Sequence, residues 1–310
     1  MVLFPRQAIT WPEGARLAIV PSVAFETWPP DLGRPDSMQM PTRRPLPRDA
    51  VWDRDLSAIT DHEYGERVGI YRMLDIFDRM DIRTTFFING INAERFPELV
   101  REIAEAGHEV ASENWIHDYS FMKSREQEQA DLQRTVNAIE QVTGRHPTGY
   151  LSPGVNPSIN TPELAAELGY TYWMDPQHEE LPYTLQVSDK TIVVMAYNLM
   201  LNDYSTNSAA QRTGRQLGEI WRDTVSYLHK ESAQYPNMIT WGLHPYLTGR
   251  PFRASVLEEF LTWAKALPGV WFARTGDIAE WWAAEYADHL VEEWPNFTEA
   301  GVQLNRLTGR

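Results

Sequence analysis

The sequence predicts an α/β fold, a closed or nearly closed β/α barrel of seven or eight strand–helix units in one domain. Three observations lead there. Short apolar runs rich in β-branched and aromatic residues alternate with segments of helical period. No repeat, flexible linker or change of composition divides the 310 residues. Polar residues able to do chemistry recur where the apolar runs stop, as they do at the C-terminal ends of barrel strands.

The elements follow in order. Leu17 to Phe25 is mostly apolar and reads as the first strand. Residues 29–60 are rich in Pro, Arg and Asp without a period, which predicts a long covering loop. Tyr64 to Met80 places Val68, Tyr71, Leu74 and Phe77 at helical spacing. Thr84 to Ile88 is a strand, Ala93 to Ala106 a helix closed by Gly107, and His108 to Ser112 the next strand. A long helix spans Lys123 to Val142 and stops at Gly144. Tyr150 to Ser152 is a short strand before a Pro/Asn loop, and Thr161-Pro162-Glu163 opens a helix. Strands follow at Tyr170 to Met174 and Thr191 to Tyr197, a helix at Gln216 to Lys230, and a strand at Met238 to Leu243. Ala254 to Ala266 is helical, Val270 to Ala273 a strand and Asp277 to Tyr286 a last helix. Residues 286–310 form a polar extension that packs on a neighbouring subunit, so the barrel core runs from about 15 to 285.

Composition narrows the function. A net charge of −15 and a pI near 5.0 exclude a nucleic-acid surface, which needs clustered Lys and Arg. With no cysteine, any metal must bind nitrogen and oxygen. No run reaches eighteen apolar residues and Met1 to Arg6 lacks a secretory pattern, so a cytoplasmic protein that spans no membrane is expected.

Glu26, Glu113, His117, Ser152, Asp175, Asn198 and His244 stand where apolar runs end. Glu113 and His117 are four apart and converge if the chain turns helically after its strand. Glu26, Glu113 and His117 make a two-carboxylate, one-imidazole set suited to Zn, Mn, Fe or Ni. The alternatives are a hydrogen-bonded Glu113–His117 pair and a metal-free Glu26 base. Asp175 either orients His244 or is a turn residue before Pro176. Arg67, with Glu63, either binds a polar ring or pairs at a subunit contact. Trp28, Trp115 and Trp173 lie beside these residues and either wall a flat substrate or pack in the core. His62, His146, His178, His229 and His289 fall on loops or polar helix faces and receive no role.

Four blocks carry a family resemblance: Thr84 to Phe87, Phe96 to Val100 with Gly107 to Val110, Leu243-His244-Pro245 with Gly249-Arg250-Pro251, and Trp271 to Trp282. Over residues 15–285 the chain resembles the polysaccharide deacetylase (NodB-homology) superfamily, which implies a distorted seven- or eight-stranded β/α barrel. His62 to Gly69 and His178 to Tyr183 are similar to the branch holding the metal-independent allantoinase and the cyclic-imide hydrolases. That branch implies a small ring amide as substrate and a dimer or tetramer. The pattern of the deacetylases is broken at three places: Ala24 stands where their base Asp would, Glu113 where their first metal-binding His would, and Leu151 where their Arg would. Losing base and Arg together is consistent, since either alone would be an unpaired buried charge. The resemblance therefore implies hydrolysis of a non-peptide carbon–nitrogen bond, with Glu26 activating water and His244 assisting the leaving nitrogen. Sugar deacetylation and a non-catalytic binding barrel are the alternatives.

Overall fold

β1 (Leu17–Phe25) is buried along all nine residues and forms the centre of the sheet. A computed structural model describes residues 9–34, 37, 46–52, 54–205, 212–289 and 291–294. The expectations for residues 1–6, for part of the covering loop and for 295–310 lie outside those residues. β1 pairs in parallel with β8 (Asn237–Leu243) over Leu17 to Val23. On its other side it meets β9 (Val270–Phe272) at Leu17 to Ile19 and β2 (Thr85–Ile88) at Ser22 to Phe25. Pro21, which has no N–H to give a ladder, sits between the β9 stretch and the β2 stretch, where β1 changes neighbours.

From β2 the sheet continues in parallel through β3 (Glu109–Ser112), β4 (Gly149–Tyr150), β5 (Tyr172–Trp173) and β7 (Lys190–Val194). β8, β1, β2, β3, β4, β5 and β7 are the curled, distorted barrel that the alternation predicts. β6 (Tyr183–Val187) and β10 (Val291–Trp294) extend its edge, with β6 antiparallel to β7. β6 was not expected, and β10 places one segment of the C-terminal extension on this chain's own sheet. Among the described residues no strand ladder joins β7 to β8. Instead the Thr240 hydroxyl donates to the Ala196 carbonyl at 2.5 Å and accepts from the Asn198 N–H at 3.2 Å.

Side chains along these strands alternate between two faces. Leu17, Ile19, Val23 and Phe25 of β1 pack outward with Phe86, Ile239 and Trp241. The helices α2 (Ile70–Arg79), α7 (Gly214–Glu231) and α8 (Pro251–Lys265) cover this face with Met73, Phe77, Trp221 and Phe260. Ala18 and Val20 pack inward with Phe87, Ala111, Leu151, Met174, Met195 and Met238 to fill the barrel.

The remaining helices refine the expectations. α1 (Leu56–Tyr64) begins inside the region read as loop, its first turn capped by the Asp55 carboxylate on the Ser57 and Ala58 amides. It runs through a π-helical turn, Gly65–Gly69, into α2. The helix expected over 93–106 is broken at Phe96 into α3 (Gly90–Arg95) and α4 (Pro97–Glu105), because Pro97 opens the second. α5 (Arg125–Thr143) starts at a Ser124–Gln127 capping box and ends at Gly144 in the left-handed region. α6 (Thr161–Glu167) and α9 (Thr275–Glu285) complete the set. Among the described residues no helix is long and apolar enough to cross a membrane.

Candidate active site

The inward row of β1 reads Ala18, Val20, Ser22, Ala24, and one step past the strand comes Glu26. The same step of two puts Asn89 after Phe87 on β2, Glu113 after Ala111 on β3, and His244 after Gly242 on β8. Four polar side chains from four strands thus meet at the barrel mouth. His117 joins them from the turn after β3, where its amide donates to the Thr27 carbonyl at 3.0 Å.

Glu26 is the centre. Its Oε1 lies 3.3 Å from His117 Nδ1 and 3.5 Å from His244 Nε2, and its Oε2 accepts the Trp28 indole N–H at 2.8 Å. Glu113 Oε1 is 3.4 Å from the same His117 Nδ1, and its Oε2 accepts from Asn89 at 3.0 Å. His117 Nδ1 is buried and makes no aligned hydrogen bond in spite of these two oxygens. The Trp28 ring stacks on His117 at 4.2 Å. The chain beside Glu26 is held from several sides. Asn89 accepts the Thr27 amide at 2.9 Å, and the Thr27 hydroxyl donates to Glu66 at 2.6 Å. Glu66 is in turn gripped by both ends of the Arg95 guanidinium at 3.0 Å.

Charge follows from burial and neighbours. Burial alone would raise the Glu26 carboxyl, but the imidazoles of His117 and His244 outweigh it and hold the group well below the usual range. Burial, reinforced by repulsion from Glu26, pushes Glu113 up to about 7. Burial works against protonated His117, yet Glu26 and Glu113 carry it up to about 9. The same contest, with Glu26 and Asp203 as the winning partners, keeps His244 well above its ordinary value. The site therefore holds an ionised carboxylate against protonated imidazoles at neutral pH.

Glu26, Glu113 and His117 each present a ligand atom within 4.8 Å of the other two. Two carboxylate oxygens, oriented from behind by Trp28 and Asn89, and the His117 Nδ1 once its proton is displaced fit a divalent cation.

Asp175 does not orient His244. Asp203 does, accepting from His244 Nδ1 at 2.5 Å, from the His244 amide at 2.9 Å and from the Thr248 hydroxyl at 2.5 Å. Asp175 accepts instead from the Ser152 amide at 2.9 Å, the Ser152 hydroxyl at 2.6 Å and the Trp173 indole. Burial pushes Asp175 up to about 6 against those donors. Strand parity explains the correction. Leu151 and Met174 face inward, so Ser152, Trp173 and Asp175 face the outer layer, where Trp173 packs with Tyr183 and Val194. Trp115 packs against Ala138 and Ile139 under the Arg134 guanidinium, which sits 3.3 Å from its ring centre. Arg67 is exposed on the π-helical turn, away from Glu26. Trp28 alone of the four expected aromatic and basic contacts reaches the site.

The structure adds residues that the sequence reading passed over. His62 is 7% exposed and stacks on Tyr246 at 4.1 Å, with Trp28 at 4.6 Å on another side. Burial holds its imidazole down to about 4, so it is neutral. Its signal was the helical register behind the Asp55 cap, which turns His62 toward the barrel beside Ala58. Asp203 opens a short helical turn after Asn202 that has no apolar period to betray it. A cavity of about 320 Å³ opens at Glu26, walled by Trp28, Leu32, Ile59, His62, Ile91 and Ile116. A larger hollow, lined by Glu179, Tyr197, Asp223 and Tyr227, contains none of the site residues.

The known proteins similar to this chain include deacetylases and an allantoinase. Residues 61–173 match the family profile described as Polysaccharide deacetylase. A peptidoglycan deacetylase of Helicobacter pylori is 25% identical over 249 residues, covering 70% of this chain and 84% of that one. The crystal structure of a probable polysaccharide deacetylase from Pseudomonas aeruginosa PAO1 superposes with a TM-score of 0.78 at 28% identity, over 91% of this chain and 99% of the other. The crystal structure of Puue allantoinase matches with the same TM-score and identity, over 92% and 99%.

Proposed function

Because the chain is a relative of the polysaccharide deacetylases, hydrolases of non-peptide carbon–nitrogen bonds, we propose that it opens the ring of a small cyclic amide, imide or ureide. The observation that carries this reading is the cavity at Glu26. Its volume of about 320 Å³ suits a small single-ring ligand, to which Trp28 and His62 offer aromatic surface. The resemblance to an allantoinase over almost the whole of both chains supports it.

Glu26, ionised between two imidazoles, accepts the proton of a water placed over the substrate carbonyl, a transfer that becomes favourable as His244 gives up its own proton and no longer holds the Glu26 carboxyl down. His244 donates a proton from Nε2 to the departing ring nitrogen. Asp203 fixes the required tautomer by taking Nδ1–H and supports the charged ring. Stacked Trp28 keeps His117 and the Glu26 carboxylate in place. Glu26, Glu113 and His117 are the residues that would hold Zn, Mn, Fe or Ni. Such an ion, when bound, lowers the pKa of a water and polarises a carbonyl.

Release of acetate from an N-acetylated sugar is the second reading, favoured by the deacetylase similar to this chain. A side-by-side assay decides. Succinimide, hydantoin and allantoin are expected to be opened, while N-acetylglucosamine oligomers release no acetate. Acetate release without ring opening, with or without added Zn, would replace the first reading by the second.

A further inference from the structure

His62 carries a lone pair with nothing to bind. Its Nδ1 stands 3.0 Å from the Ala58 carbonyl, which only accepts, so Nδ1 holds the ring proton. Nε2 of the neutral ring is then an acceptor. It is buried and meets no hydrogen-bond partner among the described residues. Buried polar atoms are rarely left so without a ligand or water to satisfy them.

The ring cannot turn away to relieve this. Tyr246 stacks on it at 4.1 Å and Trp28 lies at 4.6 Å. The Ala58 bond ties Nδ1 to the preceding helical turn, and Arg250 holds the neighbouring Asp61 at 2.7 Å. His62 also lines the cavity that contains Glu26, together with the apolar Ile59, Ile91 and Ile116. A fixed acceptor thus stands in the wall of the cavity that holds the proposed base, beside those apolar side chains and the charged Arg54, Glu63, Glu66 and Arg95.

Building on the ring-opening reading, we propose that His62 Nε2 accepts an N–H from the substrate. The site thereby selects rings with an unsubstituted amide or imide nitrogen over N-alkylated ones. His62 is a specificity residue and moves no proton. Its contact would be made in the bound substrate and kept through the reaction, so its loss appears chiefly in KM.

The test compares matched rings, succinimide with N-methylsuccinimide and hydantoin with its N-methyl derivatives, in wild type and two variants. His62→Leu fills the ring's space without an acceptor, and His62→Gln offers a side-chain carbonyl oxygen near the Nε2 position. A site built to hydrogen-bond a substrate N–H should disfavour the methylated ring by about 10²-fold or more in kcat/KM. His62→Leu should raise KM for the unsubstituted ring and bring that ratio near one, with kcat moved far less. His62→Gln should restore much of the preference. Comparing ratios removes the intrinsic effect of methylation on reactivity. Ring opening with the same preference in wild type and in a folded His62→Leu protein would overturn this inference and leave the ring-opening reading standing. Should His62→Leu fail to fold, a His62→Gln protein with no preference would overturn it equally. Failure of wild type to open any ring would overturn both.

Discussion

Asp203 and Asp175 are both buried carboxylates near the barrel mouth, but only Asp203 meets a catalytic imidazole. Replacing Asp203 by Asn keeps the shape and removes the acceptor that fixes His244 Nδ1–H. Turnover should fall by at least about 10²-fold with KM little changed, since a mispositioned tautomer fails as proton donor. Steady-state kinetics on whichever ring is opened would show it, and equal kcat would remove Asp203 from the mechanism. His117 gives a second residue-scale expectation. Its folded pKa of about 9 lies above its ordinary 6.5, so its stabilising contribution is complete below about 6.5 and is lost as pH rises through about 9. Urea unfolding of metal-stripped protein should therefore show falling stability across that window, and His117→Gln should flatten it. Curves of the same slope in both proteins would contradict the assigned charge state.

At the scale of elements, much was legible and the misses have physical causes. The step-of-two row along β1, β2, β3 and β8 leads from core residues to Glu26, Asn89, Glu113 and His244. The same rule, applied past β4 and β5, turns Ser152 and Asp175 away from the mouth; being at a strand end was necessary and not sufficient. β6 escaped because its turn at Ser188–Asp189, with Ser188 at positive φ, lacks the glycine that marks most tight hairpins. α1 escaped because Pro and Arg around it hide a short helix whose clearest signal is the Asp55 cap. The π-helical turn is the element that joins fold to function. It lets Gly65 and Gly69 touch the loop after His244, where a Cβ on Gly69 would stand 2.0 Å from the Pro245 carbonyl oxygen. Gly69→Ala should therefore cost about 1–3 kcal/mol of stability. It should also depress turnover by shifting the segment from His244 to Tyr246. Unchanged activity in that variant would show that the packing is not transmitted to the site.

For the whole molecule, the barrel is curled by its parallel ladder and closed by side chains. The Thr240 hydroxyl serves both sides of the seam between β8 and the segment after β7. Thr240→Val would leave the Ala196 carbonyl and the Asn198 amide without it. Thermal or urea unfolding should register a loss of about 1–3 kcal/mol, the usual cost of stranding buried polar groups. No measurable loss would mean that the seam does not contribute to stability. The ladder between the neighbouring β1 and β8 brings Glu26 and His244 together, with Glu26 Oε1 3.5 Å from His244 Nε2. The most direct measurement of that convergence is a double-mutant cycle on turnover with Glu26→Gln and His244→Asn. If both residues act on one substrate in the same reaction, each change should cost at least about 10²-fold and the pair little more than either alone. Losses that multiply, or a single variant that turns over as wild type does, would show that the two side chains do not work together.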